Sequence, residues 1–251
     1  MRLDVLKPEA FPPELSLAAA RIINSRCEGL THTKVNDTNE ATDVLEQSLF
    51  TSNELFYKPL TDELACHEII LNHVTRVLDP DSIYKGGLQA NNWDRYSCRI
   101  SNTMLSIGLS EGRVRKALAH LKRHYDIKYA FQAPQNCFYA GDLLYQSDDR
   151  DISYDIFGEC IGGELAGCLE DKMPDVYEAL CNNGTSVTVK CAVPFNEIIN
   201  IHRNKIVFQF LCYYAAKSLW GIKYEIEFDC VTETDVPPDK ILEITPFTYV
   251  P

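Results

Sequence analysis

Residues 224–244 read YEIEFDCVTETDVPPDKILEI, and the reading of this stretch decides how the rest of the chain is understood. Apolar and charged residues alternate from Tyr224 to Cys230, the period of a half-buried strand. Glu225, Glu227, Asp229, Glu233 and Asp235 follow one another closely before the rigid Pro237-Pro238 break. An exposed edge strand accounts for this pattern, because one face of a half-buried strand is left for charges. A carboxylate pair on one strand face, aimed into a cleft, accounts for it equally well.

The bulk properties narrow the field. A chain of 251 residues accommodates one large domain or two small ones. Its 45% hydrophobic and 24% charged content is enough for a core and argues against disorder. The formal net charge of −12 disfavours general binding to nucleic-acid backbone. A local exception is the basic cluster Arg113, Arg115, Lys116, Lys122, Arg123 and Lys128. The ten cysteines show no CxxC or clustered Cys/His spacing, and several lie in apolar runs such as VFQFLCYYAA. Buried, reduced thiols in a cytosolic protein are therefore expected. His73, His120, His124 and His202 lack ligand spacing, so no metal is expected. The start, MRLDVLKPEAFPPEL, has no long apolar segment, and no stretch reaches membrane-spanning length. The expectation is a soluble, cytoplasmic protein, or one that leaves its cell by a route that needs no ordinary signal peptide.

Local patterns give an α+β class with a strand-rich C-terminal half. PPELSLAAARIINSRCEGL (12–30) reads as a helix that stops near Gly29. Residues 31–58 read as loop with a short helix around EATDVLEQSLF. LTDELACHEIILNHVTRVL (60–78) opens as a helix capped by Thr61, and its β-branched end reads equally as a strand. DPDSIYKGGLQANNW (79–93) is a turn and short helix stopped by Gly86-Gly87. SEGRVRKALAHLKRHY (110–125) is an amphipathic helix with Ser110 as cap and Val114, Leu118 and Leu121 on one face. DIKYAFQA (126–133), SVTVKCAV (186–193) and IKYEIEFDCV (222–231) read as strands, with helical stretches around 161–170 and 175–181. KIVFQFLCYYAAKSLW (205–220) suits a buried strand or a helix.

Taken in order, three segments resemble the ADP-ribosyltransferase toxin superfamily, in particular its cholera/pertussis-like branch. HVTRVLDPDSIYKGGLQ (73–89) is similar to the strand whose arginine holds the nicotinamide dinucleotide, followed by Pro-x-x-Ile-x-x-x-Gly-Gly-Leu. MLSIGLSEGRVRKALAHLKR (104–123) is similar to that family's Ser-Thr-Ser strand and helix, with the motif reduced to Ser106-Ile107-Gly108. IKYAFQAPQNCFYAGDLL continues the correspondence, and the stretch at 224–244 looks like the Glu-x-Glu strand and its Pro-Pro turn.

The resemblance implies a split β-sandwich core with N-terminal helices (1–60) and a catalytic domain (61–251) carrying a helical insertion around 146–220. It implies transfer of ADP-ribose from NAD, a co-substrate, to a target protein by a bacterial effector or toxin, without a metal. Relatives act on G proteins, actin or ubiquitin. Arg76 takes the cofactor-holding role, Ser106 a supporting one and Glu227 the catalytic one, with Glu233 and Glu225 as alternatives. The residue types suit the chemistry. A carboxylate stabilises the oxocarbenium-like ribose left when nicotinamide departs, and a second orients or deprotonates the acceptor. An arginine clamps phosphates.

The middle of the chain supports a rival. Residues 97–140 also resemble a winged helix-turn-helix, with SNTMLSIG as supporting helix, 110–125 as recognition helix and 127–139 as wing. Arg113 would then reach a base edge, and the acidic C-terminal half would be an interaction domain. A non-enzymatic interaction protein with a vestigial pocket is the third reading. Tyr84, Trp93, Tyr96 and Phe138 suit either stacking on a ligand ring or core packing. The enzyme reading expects Arg76 and a glutamate across a cleft between two small sheets. The rival expects a basic helix face in solvent beside a two-stranded wing.

Overall fold

The computed structural model describes residues 1–26, 30–35, 37–49, 54–90, 92–128, 136–140 and 162–246. In chain order they form β1 (Arg2–Leu3), α1 (Pro13–Arg26), α2 (Thr38–Leu49), α3 (Glu54–Leu64), β2 (Glu68–Val77) and α4 (Asp81–Gly86). There follow α5 (Trp93–Ser106), α6 (Glu111–Lys128), β3 (Asn136–Ala140), α7 (Gly162–Lys172), α8 (Pro174–Cys181) and β4 (Thr185–Pro194). The chain continues with α9 (Asn200–Trp220), β5 (Phe228–Thr232) and β6 (Ile241–Pro246). The class is α+β.

The described strands join one sheet, in the order β5-β3-β2-β4-β6, with β1 pairing parallel to the start of β2. They do not divide into the two sheets that the resemblance implies. Residues 185–220, expected within a helical insertion, supply β4, between β2 and β6, and the long helix α9.

One compact unit comprises Met1–Leu71, Tyr139–Asp142 and Ala192–Cys230. Its centre is α9, against which α1, α2 and α3 pack. The run KIVFQFLCYYAAKSLW is thereby settled as helix. Ile206, Val207, Phe208, Phe210 and Leu211 are all buried along α9, and burial stabilises by roughly 1.5–3 kcal/mol for each large apolar side chain. Gly221 ends the helix in the left-handed region (φ 66°), where its N–H bonds Lys217 O and the Ile222 N–H bonds Ala216 O.

The second unit comprises Asn72–Phe138, Leu143–Cys191 and Val231–Pro251. Tyr96, Ile100 and Met104 of α5, Val114, Leu121 and Tyr125 of α6, Leu169 of α7, Met173 between α7 and α8, and Val176 and Leu180 of α8 form its helical core. In the same unit β4 and β6 pair antiparallel from Val187↔Pro246 to Cys191↔Ile241, with Lys190 opposite Glu243.

Several local expectations are corrected. Residues 104–106, expected on a strand, complete α5: Asn92 caps that helix by accepting from the Arg95 N–H at 2.9 Å, and Tyr96, Ile100, Thr103 and Met104 bury at helical spacing. Asp126–Lys128, expected to begin a strand, are the last turn of α6; the rest of that expected strand lies outside the described residues. Thr61 is inside α3 rather than capping it, and its hydroxyl donates to Tyr57 O. Gly29 lies outside the described residues. The strand expected over 222–231 begins only at Phe228, although burial alternates from Tyr224 onward. Cys137 is disulfide-bonded, which corrects the expectation of reduced thiols throughout. Among the described residues Cys66, Cys98, Cys168, Cys181, Cys191, Cys212 and Cys230 are not in disulfides. Burial pushes the Cys191 thiol up to about 12, leaving it inert at neutral pH.

The Gly-Gly segment meets the Pro-Pro turn. Leu88 and Val236, both buried, form an antiparallel bridge, with Leu88 N–H on Val236 O at 2.9 Å and Val236 N–H on Leu88 O at 2.8 Å. Gly87 (φ 71°) lies so close that a Cβ would overlap Val236 O and approach the Pro237 carbonyl carbon at 3.1 Å. Gly108, in the turn between α5 and α6, also has positive φ (89°) but open space around it. Gly87→Ala is therefore expected to cost at least about 3 kcal/mol, conformational strain plus a backbone clash, and Gly108→Ala only about 1–2 kcal/mol from strain. Urea denaturation of both variants measures this; equal losses would remove the close-approach argument.

Candidate functional site

The end of β2, α4 and α5 enclose a cavity of about 420 Å³ in the second unit. Thr75, Arg76, Asp79, Ile83, Gly86, Gly87, Leu88 and Gln89 line one side of it, with Tyr96, Arg99, Ile100 and Thr103 of α5 on the other. An adjoining groove of about 610 Å³ shares Leu78, Gln89, Arg99 and Thr103 with the cavity. The groove is one face of α5: Asp94, Arg95, Cys98, Arg99, Asn102, Thr103 and Ser106 recur at spacings of one and three residues. Together the two spaces are lined by three arginines and two aspartates, a local cationic excess in a chain of net charge −12.

Arg76 reaches the cavity because β2 presents it beyond the buried His73 and Thr75. Its Nη1 also donates to Asn183 O and Gly184 O, both at 3.3 Å, satisfying carbonyls just after α8. The side chain thus joins a capping role to a place in the cavity wall. Ser106 lines the groove from the C-terminal end of α5, where its hydroxyl donates to Asn102 O at 2.8 Å. The structure therefore brings Arg76 and Ser106 to adjoining spaces, Ser106 from a helix.

The carboxylates fall differently. Glu225 is exposed and pairs with Lys223 at 2.7 Å; Glu227 is half-buried. Both belong to the first unit, just before β5, and point away from the apolar side formed by Tyr224, Ile226 and Phe228. Glu233 is exposed and belongs to the second unit, as do Arg76 and Ser106. The aromatic candidates also separate. Tyr96 lines the cavity, and Trp93 packs on Tyr125 at 5.5 Å under Lys122. Phe138 lies against His73 at 5.8 Å, and the Tyr84 hydroxyl accepts from Ile244 N–H at 2.9 Å. The His73 Nδ1 is 2.8 Å from Cys137 O, so it carries the proton and donates. No group of three or more His, Cys, Asp or Glu side chains suited to a metal occurs among the described residues.

Sequence reasoning missed Arg99, Thr75, Thr103 and the Arg95–Asp235 pair. The signal for Arg99 was the polar stripe Arg95, Arg99, Asn102, Ser106 at helical spacing, which is invisible when part of that segment is read as a strand. Asp235 is a structural member of the acidic run. Its Oδ1 accepts from Ala90 N–H at 2.8 Å and from Arg95 Nη1 at 2.6 Å, and the same nitrogen donates to Ala90 O at 2.9 Å. The ion pair is about half exposed and contributes little by itself; the bond to the Ala90 amide matters more. Asp235→Ala is expected to destabilise by about 1–3 kcal/mol and Asp235→Asn, which keeps an acceptor oxygen, by less than about 1 kcal/mol. Equal losses in chemical denaturation would mean that charge, not the amide bond, holds the segment.

Comparison with protein-family models, with curated proteins and with solved structures gives no match to this chain.

Proposed function

We propose that the chain binds NAD beside Arg76 and Arg99 and transfers ADP-ribose from it to a protein acceptor, as a bacterial effector or toxin. One observation carries the reading. Arg76, Arg99 and Gly86-Gly87 line one cavity, and the Leu88–Val236 bridge ties its wall to the Val-Pro-Pro turn. Two of the segments that resemble the ADP-ribosyltransferase superfamily therefore adjoin.

The donor set suits a dinucleotide. Guanidinium groups hold phosphate oxygens in bidentate fashion, and the Thr75, Thr103 and Gln89 side chains suit ribose hydroxyls. Ile83, Leu88, Tyr96 and Ile100 offer an apolar wall to a ring. The volume, about 420 Å³, falls within the roughly 300–1,000 Å³ usual for small-molecule sites. In the transfer, the bond from ribose to nicotinamide breaks with its electron pair leaving on nicotinamide. A bond from the same carbon to the acceptor forms as the acceptor loses its proton. A carboxylate near the ribose stabilises the developing positive charge and takes up that proton. Glu233 is assigned this role. It lies three residues before Val236, no more than about 11 Å of extended backbone from the bridge, and in the same unit as the cavity. G proteins, actin and ubiquitin-like proteins are the acceptor classes to try first.

Incubation with labelled NAD and these acceptors tests the reading. Label transfer or nicotinamide release is expected, falling by about 10²-fold or more in Arg76→Ala and in Glu233→Ala. Glu227→Ala, measured alongside, is expected to stay near wild type; loss there moves the carboxylate assignment to Glu227. Absence of both transfer and nicotinamide release, or full activity in Arg76→Ala and Glu233→Ala, rejects the proposal.

A second reading, duplex binding, has its own observation: α5 and α6 are consecutive helices joined by the short turn 107–110, and Arg115, Lys116 and Arg123 are exposed on α6. Against it, the opposite face of α6 packs on α7, and Arg113 pairs with Asp175, Arg115 with Glu111 and Lys122 with Asp126. Of the wing expected over 127–139, residues 129–135 lie outside the described residues, and 136–139 belong to β3, which sits between β5 and β2 in the sheet. This reading requires salt-sensitive duplex binding that is lost when Arg115, Lys116 and Arg123 are changed to Glu. Binding that ignores those changes eliminates it.

A further inference from the structure

We infer that Arg99 is the phosphate-holding residue of one continuous two-part site, which takes a molecule with two ring-bearing halves joined by a pyrophosphate. The ligand's identity as a dinucleotide rests on the NAD reading above; the assignment of Arg99 rests on geometry. The cavity and the groove share four lining residues, and Arg99 is the charged one among them. Arg76 lines the cavity and not the groove, with its Nη1 on the Asn183 and Gly184 carbonyls. Arg95 lines the groove and not the cavity, and it is paired with Asp235. Arg99 is therefore the arginine that lines both spaces.

A doubly charged linker is best held by that arginine. Guanidinium–phosphate hydrogen bonds are charge-assisted and can be bidentate, and a linker seated there leaves one half of the ligand in each space. The cavity offers Ile83, Tyr96 and Ile100 to an apolar ring. The groove offers Asp94 and Asn102 to ribose hydroxyls, the recognition that an acidic side chain performs in other dinucleotide sites. Ser106 extends this polar stripe by a further turn.

Calorimetric titration of the intact protein with NAD, ADP-ribose, ADP and adenosine tests the inference. ADP-ribose is expected to bind more tightly than adenosine. Arg99→Gln is expected to weaken NAD, ADP-ribose and ADP by about 10- to 100-fold, and Arg99→Lys by less. Adenosine affinity and the unfolding midpoint stay unchanged in both variants, which a general structural loss would not allow. In the transfer assay, Arg99→Gln raises KM for NAD more than it lowers kcat. Wild-type affinities in Arg99→Gln, or equal weakening of adenosine and ADP-ribose, overturn the inference. NAD cleavage with an unchanged KM in Arg99→Gln leaves the transferase reading standing and removes the clamp. Arg99-dependent binding of ADP-ribose without NAD cleavage does the reverse. No binding of any of the four compounds removes both.

Discussion

Leu88 and Val236 exchange two buried backbone hydrogen bonds between segments far apart in the chain, and the described site is built out from that pair. The exchange needs Gly87 on one side, where no Cβ fits against Val236 O, and the Pro237-Pro238 turn on the other. Asp235 extends the contact by one residue, through the Ala90 amide and Arg95. Tyr84 extends it in the other direction, to the Ile244 amide of β6. Each hydrogen bond is worth only about 1 kcal/mol net, but an unmade buried one costs more. The segment is therefore held by a set of contacts that fail together. Gly86, Gly87 and Leu88 are cavity wall as well as bridge, so the same contacts that fix the fold fix the shape of the space.

Charge in this molecule is local. The chain carries a net −12, yet three of its arginines converge on the cavity and groove. Arg76 also holds carbonyls beyond α8, and Arg95 is tied to Asp235. Such tethering places a guanidinium without leaving its position to an unrestrained long side chain, which would lose conformational entropy on binding. The basic residues of α6 behave otherwise. Arg113, Arg115 and Lys122 are each paired with a carboxylate, which lowers the positive potential that α6 presents to solvent.

Some of the site was legible in the sequence, for physical reasons that can be named. Gly86-Gly87 announced a chain stop with special backbone geometry, and Pro237-Pro238 a rigid turn. The β-branched run ending in Val74, Thr75 and Val77 suited a strand as well as a helix, and it is the strand that carries Arg76 to the cavity. Arg99 stayed hidden because residues 104–109 were matched to a strand motif. Ser106 keeps only the first position of that motif, and the burial of Tyr96, Ile100 and Met104 requires a helix. The glutamates illustrate the converse. Their alternation was visible, and the first two do alternate with buried residues, but alternation says only that they face away from the apolar side.

By itself the sequence determined the α+β class, the amphipathic α6 and the special backbone at Gly87, because periodicity and Gly/Pro chemistry act within a few residues. Tertiary structure decided that 205–220 is helix, that 185–194 lies between β2 and β6, and that Asp235 is a strut. It also decided that the α5 face carrying Arg99 is a groove wall. Those outcomes depend on which distant segment supplies the missing hydrogen-bond partner or apolar surface, and no local pattern carries that information.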